Sequence, residues 1–78
     1  MLENAPRAPA AEVVWPTTRE MAVLRLICDG LSTKQVAAQL GIAFKTVVTH
    51  RANLMTKSGA KNVVQLVDWA LKNGLVSF

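Results

Sequence analysis

Carboxylates are scarce in this chain of 78 residues, with five Asp and Glu against nine Lys and Arg, and none falls between Asp29 and Asp68. With so few acids, no glycine-rich phosphate loop and no nucleophile flanked by a plausible base, an enzyme has nothing to be built from, and no catalytic residue is expected. The single cysteine, Cys28, excludes an internal disulfide and suits a reducing cytoplasm. One cysteine and one histidine, His50, cannot make a four-ligand zinc site, so neither metal nor cofactor is expected. Cys28, on an apolar helix, reads as a small buried residue. No span of twenty apolar residues occurs and the N-terminal segment lacks a signal peptide's apolar core, which argues against membrane insertion and secretion. No stretch alternates polar and apolar residues as a half-buried strand does, so the chain reads as all-α.

All three prolines lie in residues 1–16, MLENAPRAPAAEVVWP, a composition that suits a flexible linker or arm. Trp15 within it is expected to dock on the bundle edge, because a large exposed aromatic is unusual. From residue 17 the local signals change. Thr17 with Glu20 three residues later is a capping box, so a first helix begins near Thr18 and ends before Gly30, burying Val23, Leu24 and Ile27. Ser32 or Thr33 caps a second helix to about Leu40. A third runs from about Phe44 to Ser58 and stops at Gly59, and a fourth covers about 62–73 and stops at Gly74. The folded part, 17–78, is small enough to be marginal alone, and a helical dimer would help.

Residues 33–52 read as two short helices hinged at Gly41. Val36, Ala37 and Leu40 share one face of the first, Val47 and Leu54 one face of the second, and Ala37 is small enough for close backbone approach. A helix-turn-helix and an ordinary helical hairpin account for the hinge equally well. Charge separates them. Lys34, Lys45, Arg51, Lys57 and Lys61 all fall in the acid-free window, whereas a solvated helical face mixes both signs. One-sign charge over such a hairpin fits a partner carrying phosphates. A membrane surface fits less well, since no helix pairs a strongly basic face with a broad apolar one.

From Thr17 onward the chain resembles the DNA-binding domain of bacterial transcription regulators of the LuxR, GerE and NarL/FixJ type. The resemblance rests on Thr17 with Arg19 and Glu20; Gly30, Ser32 and Lys34; Thr46-Val47 with His50 and Asn53; Lys57 and Gly59 with Asn62; and Leu66, Ala70 and Gly74-Leu75. Each match is weak alone, but their order over about sixty residues is specific. The resemblance implies four helices, the second and third forming the helix-turn-helix, the third (44–58) entering the major groove of double-stranded DNA and the fourth supporting a homodimer. It implies base-edge contacts from Val48, Thr49 and Ala52 and phosphate contacts from Lys34, Lys45, Thr46 and Lys57. It also implies a bacterial cytoplasmic, nucleoid-associated regulator, with RNA polymerase as a further candidate partner and no small-molecule ligand in this chain. Such a regulator is either stand-alone, of the GerE kind, or the output domain of a larger protein.

The residues add to this expectation. At a hundred degrees per residue Val47, Leu54 and Ser58 point inward, while Lys45, Thr49, Ala52, Asn53 and Thr56 point outward with Val48 on the edge. Asn53 therefore joins the base-facing group, and Arg51, inside the basic window, joins the phosphate group. Many relatives carry Lys or Arg where this chain has Val48 or Ala52, so thymine-methyl contact and shape are expected to outweigh guanine readout. Pro16, Ala43 and Ser58 also depart from the family pattern: Ala43 forfeits a cap and Ser58 trims the core. His50 is inward-facing and reads as packed or phosphate-bonded. In the fourth helix Val64, Val67 and Leu71 widen the apolar stripe past what one core needs, as a twofold interface would, although burial on two sides within one chain would use the same residues. The rival function is a helical adaptor binding a protein, which calls for an apolar groove for a partner helix.

Overall fold

The computed structural model describes residues 15–77. Four helices follow in order: α1 Thr18–Cys28, α2 Thr33–Leu40, α3 Phe44–Ser58 and α4 Val63–Lys72. No strand occurs among the described residues, so the chain is all-α as expected. The expected arm over 1–16 lies outside the described residues except for Trp15 and Pro16. Trp15 does not dock on the bundle edge; it is 56% exposed, and the first residue fixed to the bundle by a cap is Thr17. No described helix is long and apolar enough to cross a membrane.

Three of the four helices start on side-chain caps. The Glu20 amide donates to Thr17 Oγ1 at 3.2 Å while the Thr17 amide donates to Glu20 Oε1 at 3.0 Å, closing the capping box of α1. Ser32 and Gln35 repeat that exchange at α2, at 3.2 and 2.8 Å. Asn62 is the cap of α4 and not its first residue, since it is extended and its Oδ1 accepts from the Gln65 amide at 2.9 Å. Ala43 offers α3 no side-chain cap.

The turn between α2 and α3 depends on Gly41. Its φ of 68° is left-handed, a conformation that costs a side-chain-bearing residue about 1 kcal/mol. That conformation brings the Ile42 amide onto the Ala37 carbonyl at 3.1 Å, closing α2 and turning the chain into α3.

α3 is the hub, touching each of the other three helices. Val47 and Leu54, seven residues apart on it, are fully buried. They share one core with Val23, Leu24 and Ile27 of α1, Val36 and Ala37 of α2, and Leu66 and Ala70 of α4. Each buried Leu or Val stabilises the bundle by about 1.5–3 kcal/mol, so the orientation of α3 is set by its whole inner stripe. Ser58 costs this core less than expected, because it is only half-buried and its hydroxyl donates to the Met55 carbonyl at 3.2 Å and accepts from the Ala60 amide at 3.0 Å.

Candidate nucleic-acid interface

With Val47 and Leu54 facing the core, the opposite face of α3 is left to solvent. Lys45, Thr46, Val48, Thr49, Ala52, Asn53 and Thr56 are all exposed. The four residues expected to face bases, Val48, Thr49, Ala52 and Asn53, therefore lie together on one open surface. Short side chains let a helix approach a groove floor closely, and nothing on this face carries negative charge. Thr49 Oγ1 donates to the Lys45 carbonyl at 3.2 Å, which leaves its lone pairs to accept from a base amino group.

The residues expected at phosphates fall into two groups. Lys34, in the first turn of α2, and Lys45 and Thr46, in the first turn of α3, are exposed. Arg51 and Lys57 are half-buried and already engaged. Arg51 Nη1 donates to Thr33 Oγ1 at 3.1 Å, tying α3 to the start of α2. Lys57 Nζ donates to Glu20 Oε1 at 2.6 Å, tying α3 to the start of α1.

Glu20 is the buried charge among the described residues, 3% exposed. Burial, the largest influence on its carboxyl, opposes ionisation, but the Lys57 ammonium, the Thr17 amide and the Asn53 side chain outweigh it and hold the pKa below the ordinary value. The carboxylate is thus favoured in its ionised form while it is hidden from the outward face. Asp68 is likewise engaged, with Lys72 at 3.0 Å on α4. Glu20 and Phe44 do not stand out in the sequence as parts of this surface. Glu20 and Lys57 are 37 residues apart, with no local signal to join them. Phe44 is 55% exposed at the first position of α3, and its four-residue spacing from Val48 was the available signal.

His50 turns inward as expected; its Nδ1 is buried and has no hydrogen-bond partner among the described residues. Cys28 is half-buried where the chain after α4 passes α1, and burial, with the neighbouring Asp29 charge, pushes its thiol pKa up. Such a thiol is a poor nucleophile. On α4, Leu66 and Ala70 are buried, whereas Val64 is 77% and Leu71 42% exposed, with Val67 half-buried between them. Of the three residues expected at a twofold contact, Val64 and Leu71 are thus left open and Val67 partly covered by the described residues.

Four helices around a Gly41 hinge, with the third presenting an exposed, acid-free face, define a helix-turn-helix domain of the four-helix type. Residues 17–70 match the family described as GerE, bacterial regulatory proteins, luxR family. The chain belongs to that family, whose members are regulators and not enzymes. The oxygen regulatory protein NreC of Staphylococcus aureus is 42% identical over 60 residues, which is 77% of this chain and 28% of NreC. The structure of the transcription factor GerE is similar with a TM-score of 0.72 and 34% identity, covering 78% of this chain and 91% of that one. The VqmA–ligand–DNA complex from Vibrio cholera gives a TM-score of 0.74 and 37% identity over 83% of this chain and 29% of that one. The chain thus spans under a third of the length of the curated relatives it matches.

Proposed function

We infer that this chain binds double-stranded DNA sequence-specifically as a bacterial transcription regulator, with α3 in the major groove. The observation that carries the reading is the outward face of α3: exposed, short-sided, free of acid and aimed by a hinge that fixes α3 against α2. Val48, Thr49, Ala52 and Asn53 meet the base edges. Lys34, Lys45, Thr46 and Arg51 meet phosphates, and Lys57 adds to them with an ammonium it shares with Glu20. Kinship with VqmA, solved on DNA, supports the same assignment.

On DNA the chain is a homodimer through Val64, Val67 and Leu71, the open stripe of α4. Residues 17–78 form the binding domain and 1–16 an arm or linker, working in the bacterial cytoplasm on the nucleoid, with RNA polymerase as a downstream partner. Titration against labelled duplexes tests the central claim. Binding should tighten at low salt with a steep log–log slope, and some duplexes recovered from a random pool should bind far better than the pool. Undetectable affinity at low salt, or affinity without a salt slope, would leave a protein-binding adaptor as the reading.

A further inference from the structure

Two parallel ridges run along the exposed side of α3, one over its outward face and one beside it from the edge that Phe44 and Val48 occupy. Residues four apart on a helix line up as an oblique row. One row, Lys45, Thr49 and Asn53, carries an ammonium, a hydroxyl and an amide, all exposed. The other, Phe44, Val48 and Ala52, carries no polar side-chain atom, and all three members are exposed, Phe44 by 55% and Val48 by 45%. The apolar row tapers from the N-terminal end of the helix, largest residue first.

Phe44 and Val48, one turn apart and both exposed, make a contiguous apolar patch, the kind of feature a partner covers. The covering partner has to tolerate Lys45 alongside and the surrounding acid-free basic window, which disfavours an apolar protein helix and favours a polyanion. In the major groove the apolar feature of a base edge is the thymine 5-methyl group, and Phe and Ala are among the side chains that contact it. Resting on the DNA-binding reading above, we propose that Phe44 is a specificity-determining residue, and that the Phe44–Val48–Ala52 ridge reads a short run of thymine methyls along one strand.

Geometry sets the length of the run. Eight residues of helix span about 12 Å, and bases along one strand are about 3.4 Å apart, so the ridge covers about four base pairs. The parallel polar ridge fits the same sequence, because Thr49, whose hydroxyl proton goes to the Lys45 carbonyl, offers lone pairs to an amino group such as that of the adenines opposite those thymines. Phe44 at the first helical position is where groove-reading helices make their contacts.

The test uses the full chain and the tightest duplex selected from a random pool, with each thymine of one half-site replaced in turn by uracil. That change removes one methyl and leaves the hydrogen-bonding edge intact. At two or three neighbouring positions affinity should fall about fourfold, as for one buried methyl-sized group. Phe44→Ala and Val48→Ala should each weaken the thymine preference at one of those positions and keep it at the others, while Thr49→Ala should keep the preference throughout at lower affinity. Equal binding of thymine and uracil by the wild-type chain would overturn the proposal, as would a selected half-site without thymine or a Phe44→Ala chain with the full preference. So would sedimentation in which Phe44→Ala altered only self-association. Failure to bind any duplex at low salt is a different result, and it would sink the DNA-binding reading beneath the proposal.

Discussion

Lys57 Nζ lies 2.6 Å from Glu20 Oε1, joining the last turn of α3 to the first turn of α1. The same oxygen accepts the Thr17 amide at 3.0 Å, so one buried carboxylate closes a helix cap and anchors the far end of α3. Arg51 and Thr33 form the matching tie to α2. Between these two ties α3 has little freedom to roll, which is what a helix needs if four short side chains are to meet particular base edges.

That carboxylate makes stability pH-dependent in a stated direction. Its pKa in the folded protein lies below the ordinary value, despite burial, because of Lys57, Thr17 and Asn53. Its contribution is present above the unfolded value and is lost as pH falls through the folded value. Urea unfolding followed from pH 7 to pH 3 should show wild-type stability declining below about pH 5. Glu20→Gln should be less stable at neutral pH by about 2 kcal/mol, with a shallower acid limb. Parallel acid limbs for the two chains would remove Glu20 from this role.

Helix ends were legible in the sequence because their causes are local. Thr17 with Glu20, the Ser32-Thr33 pair, and Gly41 and Gly59 each act within a few residues, and the observed bounds of α1, α2 and α3 fall where those signals put them. The outward face of α3 was legible for the same reason, since period and composition alone orient Val47 and Leu54 inward. What was not legible depends on residues brought together by packing. Nothing in the sequence around Lys57 shows that its ammonium meets Glu20, nor that Arg51 meets Thr33. Trp15 stays exposed against expectation because a preference for burial is satisfied only where a neighbour offers a surface.

The hinge gives a test of backbone cost free of steric interference. A Cβ built on Gly41 meets nothing within 4 Å, so any penalty for a side chain there arises from its φ of 68°. Gly41→Ala should destabilise by about 1 kcal/mol, lowering the melting temperature by about 4–8 °C. Gly41→Asn should lose less, because asparagine enters the left-handed region more readily. Calorimetry showing Asn and Ala equally destabilised would mean the cost lies elsewhere.

The two groups of basic residues should separate in salt titrations. Lys45 is exposed, so Lys45→Ala should weaken binding to all duplexes and reduce the log–log salt slope by about 1. Lys57 shares its charge with Glu20, so Lys57→Ala should change the slope less and lower the unfolding midpoint more. Thr49→Ala and Asn53→Ala should alter preference among duplexes without that change in slope. Equal losses on selected and random duplexes for every variant would contradict this division of roles.

The α4 stripe should govern assembly on DNA and not folding. Leu66 and Ala70 hold α4 to the core while Val64 and Leu71 remain open to solvent, so a charge introduced on the open side leaves the core intact. Val64→Asp and Leu71→Asp should keep the wild-type melting temperature to within a few degrees, since exposed substitutions usually change stability by about 0.5 kcal/mol or less. On a duplex with two half-sites both variants should sediment with one chain bound where the wild type places two, because two like charges would face each other across a twofold contact. Spacing between the half-sites adds a second reading. If the stripe joins the two chains, moving the half-sites apart by half a helical turn should abolish paired binding by the wild type and leave single-chain affinity unchanged.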